Sequence, residues 1–346
     1  MCAAVLLGPQ DVQIRDVPIP RPSDNEILLR IGAATTCGTD VKVFRRGGHP
    51  RMLKVPAMFG HEFAGTVVQT GENVSDFALG ERVVIANSAP CGSCERCLQD
   101  RENLCPDLQY INGAFAEFIL IPERFVQRSV YRIPASLSFE RAALSEPLAC
   151  VLHGISACEL NDEKPSQVVV FGAGPIGLLF VAALTRRGHR VLLADPNQSR
   201  LEVGTAMGAT ATLRVARGGG QATNVREWSA NGEGIDIAID CTGIPEVWLD
   251  AINSVRPGGT VNLFGGCAPG TQVPLDTHRI HYSEITVKGV YHHRPKTFRA
   301  ALGLLAEADF PVDALLGARM PIAEVEAALQ SMMNKQNLKV VITASG

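Results

Sequence analysis

One stretch constrains the fold more than any other. The apolar run Val168–Phe171 leads straight into Gly172-Ala-Gly174-Pro175-Ile176-Gly177, and apolar residues then recur at helical spacing to Arg187. An uninterrupted apolar run ending in a glycine turn suits a strand buried on both faces of a parallel sheet. Strand, tight turn and helix in that order open a dinucleotide-binding unit. The glycines let the backbone turn sharply and approach a pyrophosphate, and the helix N-terminus presents free N–H groups to it. Val168–Leu184 carries no charge, but it is barely long enough to span a bilayer and is broken by glycines and a proline. A strand plus a helix accounts for it better than a membrane span.

The alternation continues downstream. Arg190–Ala194 reads as the next strand and Ser199–Met207 as the next helix. Ile235–Asp240 and Thr260–Phe264 read as further buried strands with a helix at about Pro245–Val255 between them, and Gly218-Gly-Gly220 as a surface loop. The pattern predicts a doubly wound α/β sheet with right-handed crossovers over residues 153–290. Asp195 ends the second strand. A carboxylate there accepts hydrogen bonds from the adenosine ribose hydroxyls and repels a 2′-phosphate, which favours NAD over NADP. Arg200 argues the other way, because a nearby arginine accepts that phosphate.

Residues 1–152 have a different rhythm. Glu26–Ala33, Phe63–Gln69, Arg82–Ala86 and Ala116–Ile121 are short β-prone runs separated by turn signals such as Gly47-Gly48 and Gly71-Glu-Asn. They predict a compact, partly open barrel. Helical runs at Phe298–Glu307 and Ile322–Met332 and a strand at Lys339–Thr343 do not extend the alternation, so residues 291–346 are expected to complete the first domain. A length of 346 residues suits two domains, and 46% hydrophobic content supplies two cores.

Charge and termini narrow the partners. The formal charge of −3 and the lack of a dominant basic run argue against nucleic acid, and Arg45-Arg46 and Arg186-Arg187 read as solvated doublets. Met1–Leu7 has no basic n-region, so no signal peptide is expected, and the protein reads as soluble and cytoplasmic. The ten cysteines are then expected to stay reduced. Cys2, Cys150, Cys158, Cys241 and Cys267 show no ligand spacing and read as small buried hydrophobes.

Cys91, Cys94, Cys97 and Cys105 lie in one loop. Zinc takes four thiolates tetrahedrally, and a closed site of that kind is structural. An iron–sulfur cluster is the rival, since Cys105-Pro106 ends the run as a ferredoxin run ends, although here the last interval is longer. A second donor set is Cys37, His61, Glu62 and Glu146. A catalytic zinc keeps three protein ligands and one exchangeable position. An alcohol taken up there is acidified, and its alkoxide passes hydride to a nicotinamide.

Gly60-His-Glu-Phe-Ala-Gly65, with Gly71 and Val74, resembles the zinc alcohol dehydrogenase signature of the medium-chain dehydrogenase/reductase superfamily. Cys37-Gly-Thr39-Asp40, the four-cysteine loop and Gly172–Gly177 fall where that family has them. The resemblance implies a GroES-like catalytic domain and a Rossmann NAD-binding domain, two zinc ions per chain (one catalytic, one structural), and a homotetramer or homodimer. Glu146-Pro147-Leu148 resembles the sorbitol-type polyol dehydrogenases, where simple alcohol dehydrogenases carry a cysteine ligand. It implies zinc binding by Cys37, His61 and Glu62, with Glu146 bound directly or through water. Ile176, Asp195 and Arg200 would contact the adenosine half of the cofactor, and Phe264-Gly265-Gly266 would line the nicotinamide half. Thr39 matches the hydroxyl that receives the substrate proton. Lys42 stands where many relatives place the outer relay histidine. Gly289-Val-Tyr-His292-His293 replaces a Gly-Val-Phe-Arg-Tyr run whose Arg and Tyr touch substrate in sorbitol dehydrogenases. His292 and His293 are therefore the expected substrate contacts, and sorbitol itself is in doubt.

The expected activity is oxidation of a secondary alcohol in a polyol, sugar alcohol or cyclitol. Two other enzyme readings are L-threonine or amino-alcohol oxidation, from Cys-Gly-Thr-Asp, and oxidation of a sugar-alcohol phosphate, from Arg45. A non-enzymatic NAD-binding protein would show eroded zinc donors, and here all of them stand.

Overall fold

The computed structural model describes residues 1–160 and 163–344. The chain divides into two compact units, one of Met1–Ala149, Arg294–Ala308 and Leu315–Gly346, the other of Cys150–His293 and Asp309–Ala314.

The first unit is the barrel. Its main sheet runs in the order Val130–Arg132, Arg82–Ile85, Glu62–Thr70, Ile27–Thr35, Lys339–Thr343, Leu316–Pro321, and Phe118–Ile121 also pairs with Ile27–Thr35. Ile27–Thr35 carries the alternation of a half-buried strand only in its middle, because partners on several sides bury most of its residues. Its end matters for chemistry, since Thr35 pairs with Glu62 and Val341. Three segments distant in sequence thus meet there. One core joins them, with Phe44, Phe59, Phe63, Phe115 and Phe125 packed against Leu329, Val340 and Ile342. Phe59 and Phe115 meet edge to face at 5.0 Å just before the Gly60-His61 turn. Such a pair adds about 0.5–1.5 kcal/mol beyond the area it buries.

The second unit is an all-parallel sheet in the order Ala211–Arg214, Arg190–Asp195, Gln167–Phe171, Ile235–Asp240, Val255–Leu263, Thr286–Gly289. Val168, Val169 and Val170 are fully buried, as central strands covered on both faces must be. The strand order reverses between Gln167–Phe171 and Ile235–Asp240, and ligands of such sheets bind beyond the carboxyl ends at that reversal. Phe171 pairs with Ala194 and Asp240, so the glycine turn, Asp195 and Asp240 emerge at one edge. The expected Thr260–Phe264 strand begins earlier, at Val255, because a register shift after Ile235 accommodates Pro257-Gly258-Gly259.

None of the ten cysteines is in a disulfide. Cys150 and Cys158 are buried, but Cys2, Cys241 and Cys267 are only partly so, which corrects their expected burial. Among the described residues, no helix is long and apolar enough to cross a membrane.

Candidate active site

The helix Gly38–Arg46 starts on Cys37, whose extended backbone and side chain cap it. The Thr39 N–H donates to Cys37 Sγ at 3.1 Å, and the Cys37 N–H donates to Asp40 Oδ2 at 2.9 Å. A capping box thereby orients a thiol that helix formation alone would leave free. The other oxygen of Asp40 lies 3.1 Å from His61 Nδ1. That contact turns Nε2 toward Cys37 Sγ, 3.4 Å away. A carboxylate behind a histidine, fixing which nitrogen faces outward, is the usual support of a metal-ligating imidazole. Asp40 was not among the expected site residues, and the Cys37-x2-Asp40 spacing is the signal that could have found it.

Glu62 follows His61 at the start of its strand. Its Oε2 accepts from Thr35 Oγ1 and Lys339 Nζ, and Lys339 also donates to the Thr36 carbonyl at 2.9 Å. Donor atoms of Cys37, His61 and Glu62 lie within 4.8 Å of one another. Sulfur and nitrogen on one tetrahedral zinc stand about 3.6 Å apart for ordinary bond lengths. The 3.4 Å between Cys37 and His61 therefore fits such an ion. Glu146 opens the helix Ser145–Ala157, and Asn87 Nδ2 donates to its Oε1 at 3.0 Å. Burial pushes the Glu146 carboxyl up to about 7, with His61 pulling down and Glu62 pushing up. Burial also opposes a charged His61, but Asp40 and Cys37 override it and hold the imidazole well above its usual range. A divalent cation reverses both preferences, since it demands carboxylate and neutral imidazole.

The four-cysteine loop is a second donor set. Sγ separations are 3.9 Å for Cys91–Cys97, 3.5 Å for Cys94–Cys97 and 3.9 Å for Cys94–Cys105. Thiolates on one tetrahedral zinc stand about 3.8 Å apart. An iron–sulfur cluster interposes several irons and sulfides and would hold them further apart, so the geometry selects the single ion. The thiols of this loop differ in acidity. The Ser93 and Cys94 N–H groups bring Cys91 down to about 6, whereas burial sends Cys97 up to about 12.

The glycine turn has the form its sequence predicts. Gly172 adopts φ +99°, and a Cβ at Gly177 would stand 1.8 Å from the Gly172 carbonyl oxygen. Helix and strand can approach this closely only without that side chain. Nothing lies within 4 Å of a Cβ at Gly174, which leaves the backbone open to a ligand. Pro175 takes the first helical position and Ile176 the second. Asp195 accepts from the Ala173 N–H at 2.7 Å and the Asn197 N–H at 2.8 Å. The carboxylate thus splints the turn while lone pairs remain for a ribose. Arg200 is half-buried in the following helix Gln198–Ala206.

Phe264-Gly265-Gly266 is held by a residue the sequence reading missed. Asp240, fully buried, accepts from Thr242, Gly243 and Trp248, and Trp248 Nε1 also donates to the Gly265 carbonyl at 3.0 Å. Phe264 stacks edge to face on Phe180 at 5.1 Å. The His292 carbonyl accepts from His153 Nδ1 at 2.6 Å, and the His292 and His293 rings stand 4.0 Å apart. Burial, then the charge of His153, brings buried His293 down to about 3, so it stays a neutral imidazole. Lys42 is exposed on its helix. Cys37, Thr39, Lys42, His61, Glu62, Glu146 and the four-cysteine loop belong to the barrel unit. The glycine turn, Asp195, Arg200, Phe264–Gly266, His292 and His293 belong to the parallel-sheet unit.

Residues 23–134 match the alcohol dehydrogenase GroES-like domain, and residues 175–307 match the zinc-binding dehydrogenase family. The chain is 30% identical to sorbitol dehydrogenase of Bacillus subtilis (strain 168), over 99% of this chain and 97% of that one. It is 28% identical to L-threonine 3-dehydrogenase of Yersinia pestis, over 98% of each. A protein from Sinorhizobium meliloti 1021, described as a zinc-binding dehydrogenase and solved with NADP bound, superposes with TM-score 0.90 at 29% identity, over 99% of this chain and 98% of that one.

Proposed function

Because this chain belongs to the zinc-dependent alcohol dehydrogenases of the medium-chain dehydrogenase/reductase superfamily, we propose that it oxidises a secondary alcohol in a polyol, sugar alcohol or cyclitol to the ketone, with hydride passing to NAD. The observation that carries the polyol reading is Glu146, a carboxylate held by Asn87 where simple alcohol dehydrogenases have a thiolate ligand. Cys37, His61 and Glu62 would hold the reactive zinc, with Glu146 direct or through water, and Cys91, Cys94, Cys97 and Cys105 the structural one. The ion supplies Lewis acidity toward the substrate hydroxyl, and the dinucleotide supplies the hydride acceptor.

The chain's own residues do the rest. Asp40 orients His61 and Cys37 through one carboxylate. Thr39 receives the substrate proton at its hydroxyl, and Lys42 serves as the outer group of the relay. The backbone at Gly172, Gly174, Pro175, Ile176 and Gly177 takes the pyrophosphate. Asp195 accepts the ribose hydroxyls and disfavours a 2′-phosphate, which supports NAD even though a relative at 29% identity was solved with NADP. Arg200 flanks the adenosine. His292 and His293 offer imidazole donors and acceptors to further hydroxyls, His293 in its uncharged form. The reading also places the enzyme in the cytoplasm as a homotetramer or homodimer.

L-threonine is the second reading, favoured by Cys37-Gly-Thr-Asp and by a threonine-oxidising relative of nearly equal identity. Comparing kcat/KM with NAD for xylitol, sorbitol, myo-inositol, galactitol 1-phosphate, threonine and 1-butanol tests the proposal. A polyol or cyclitol is expected to lead, since a site built to pair several hydroxyls rejects analogues lacking them by large factors. Threonine or butanol ahead by tenfold or more, about 1.4 kcal/mol, overturns it.

A further inference from the structure

Lys339 is the most deeply buried cation of the barrel unit, 1% exposed. It reaches the zinc donors from the last strand of the chain. Its ammonium donates to Glu62 Oε2 and to the Thr36 carbonyl, and Thr35 Oγ1 donates to the same Glu62 oxygen. Fold stability is a poor reason for this arrangement. Taking an ammonium and a carboxylate out of water costs several kcal/mol per ion, and apolar replacements of such pairs are often neutral or stabilising. The neighbouring strand residues Val340, Val341 and Ile342 show that the core accepts apolar side chains here.

The hydrogen bonds have a consequence for coordination. Two donors converge on Oε2, so both of its lone-pair directions are used. Only Oε1 of Glu62 is left for a metal. Cys37, Asp40 and Glu62 also gather acidic groups around this point, and Lys339 supplies a compensating positive charge.

We propose that Lys339 is a positioning residue for the reactive zinc: with Thr35 it restrains Glu62 to a single-oxygen contact and keeps open the coordination position that the alcohol must take. This rests on the zinc reading of Cys37, His61 and Glu62. Without Lys339, Glu62 is free to turn both oxygens onto the metal and close that position. A merely structural lysine would behave in the opposite way, and its loss would loosen the metal.

The test uses full-length protein loaded with Co²⁺ in place of the reactive zinc, and compares wild type with Lys339→Met, Lys339→Arg, Thr35→Val and the double variant Glu62→Gln/Lys339→Met. Release of the reactive ion to a chromogenic chelator is expected to slow at least tenfold in Lys339→Met. Its visible cobalt bands should weaken as the coordination number rises, and kcat should fall more than KM changes. Lys339→Arg should restore the wild-type spectrum and release rate. Thr35→Val should shift both part of the way. The double variant, lacking the second oxygen, should release metal at least as fast as wild type. Faster release from Lys339→Met, or an unchanged spectrum and kcat, overturns the proposal. Should Lys339→Met fail to fold, Thr35→Val and Lys339→Arg decide it: a Thr35→Val spectrum and release rate like wild type overturn it. Failure of the underlying zinc reading looks different, because Cys37→Ser would then leave the thiolate-to-cobalt absorption unchanged.

Discussion

Thr39 and Lys42 stand three residues apart on the helix that Cys37 caps, so both can flank the same donors. Their demands differ. A threonine hydroxyl passes a proton at any pH, whereas a lysine does so near neutrality only when burial or neighbouring cations favour its uncharged form. Lys42 is exposed on that helix. Thr39→Val is expected to reduce kcat to near background while elemental analysis still finds both zinc ions. Lys42→Ala is expected to shift the pH–rate profile, and an unchanged profile would mean that the relay ends in water. At Asp195 the stakes are structural as well as chemical, because its two oxygens already hold the Ala173 and Asn197 N–H groups. Asp195→Ala should weaken NAD binding roughly ten- to a hundredfold, given about 1.5–3 kcal/mol for a hydrogen bond to a charged acceptor. It should also narrow the gap to NADP, and a wild-type enzyme preferring NADP in titration would refute the assignment. Asp195 is legible in sequence because its distance from the glycine turn is set by one strand and one helix. Asp240 and Lys339 are not, because their partners come from backbone geometry and from strands far along the chain, whereas the Cys37-x2-Asp40 spacing does carry a signal for Asp40.

At the scale of elements, local pattern identified what local physics determines. The strand Gln167–Phe171 and the helix Pro175–Arg186 announce themselves through an unbroken apolar run, a glycine turn and a proline at the first helical position. Gly177→Ala should therefore do more than lower helix flexibility. Its methyl would meet the Gly172 carbonyl oxygen at 1.8 Å, so the turn must shift. Overpacking of this kind costs about 1–3 kcal/mol, and dinucleotide affinity should fall with melting temperature. Other elements left no such trace. Cys2–Gly8 and Asp11–Asp16 pair as a hairpin through a turn with Gln10 at φ +57°, and Phe139–Ala143 and Ser145–Ala157 are separated only by Leu144. The four-cysteine loop is the converse case, with spacing that is plain and little secondary structure to hold it. Metal must supply that hold. Gentle chelation should remove one zinc ion quickly with all activity and leave the thiolate-bound ion behind, as followed by elemental analysis. Iron with acid-labile sulfide in the purified protein would sink the single-ion assignment.

Over the whole molecule, two of the hydrophobic clusters among the described residues show how the cores form from interleaved stretches of chain. One gathers Ala4, Ile31 and Phe63 with Leu329 and Ile342, and the other gathers Val169, Leu192, Ala238 and Val261. The second core is continuous in sequence, which is why alternation of strand and helix revealed it. The first needs the last strand, whose Val341 pairs with Thr35, and no periodicity names that partner. Separate cores with separate ligands predict separable unfolding. A dinucleotide at a hundred times its dissociation constant stabilises the unit that binds it by about 2.7 kcal/mol. For a unit of this size that raises its melting temperature by roughly 5–10 °C. In scanning calorimetry NAD should raise one transition and leave the other in place, and chelation should lower the transition that NAD does not move. A single transition shifted by both treatments would show that the units unfold as one, and that each ligand is felt across the whole chain.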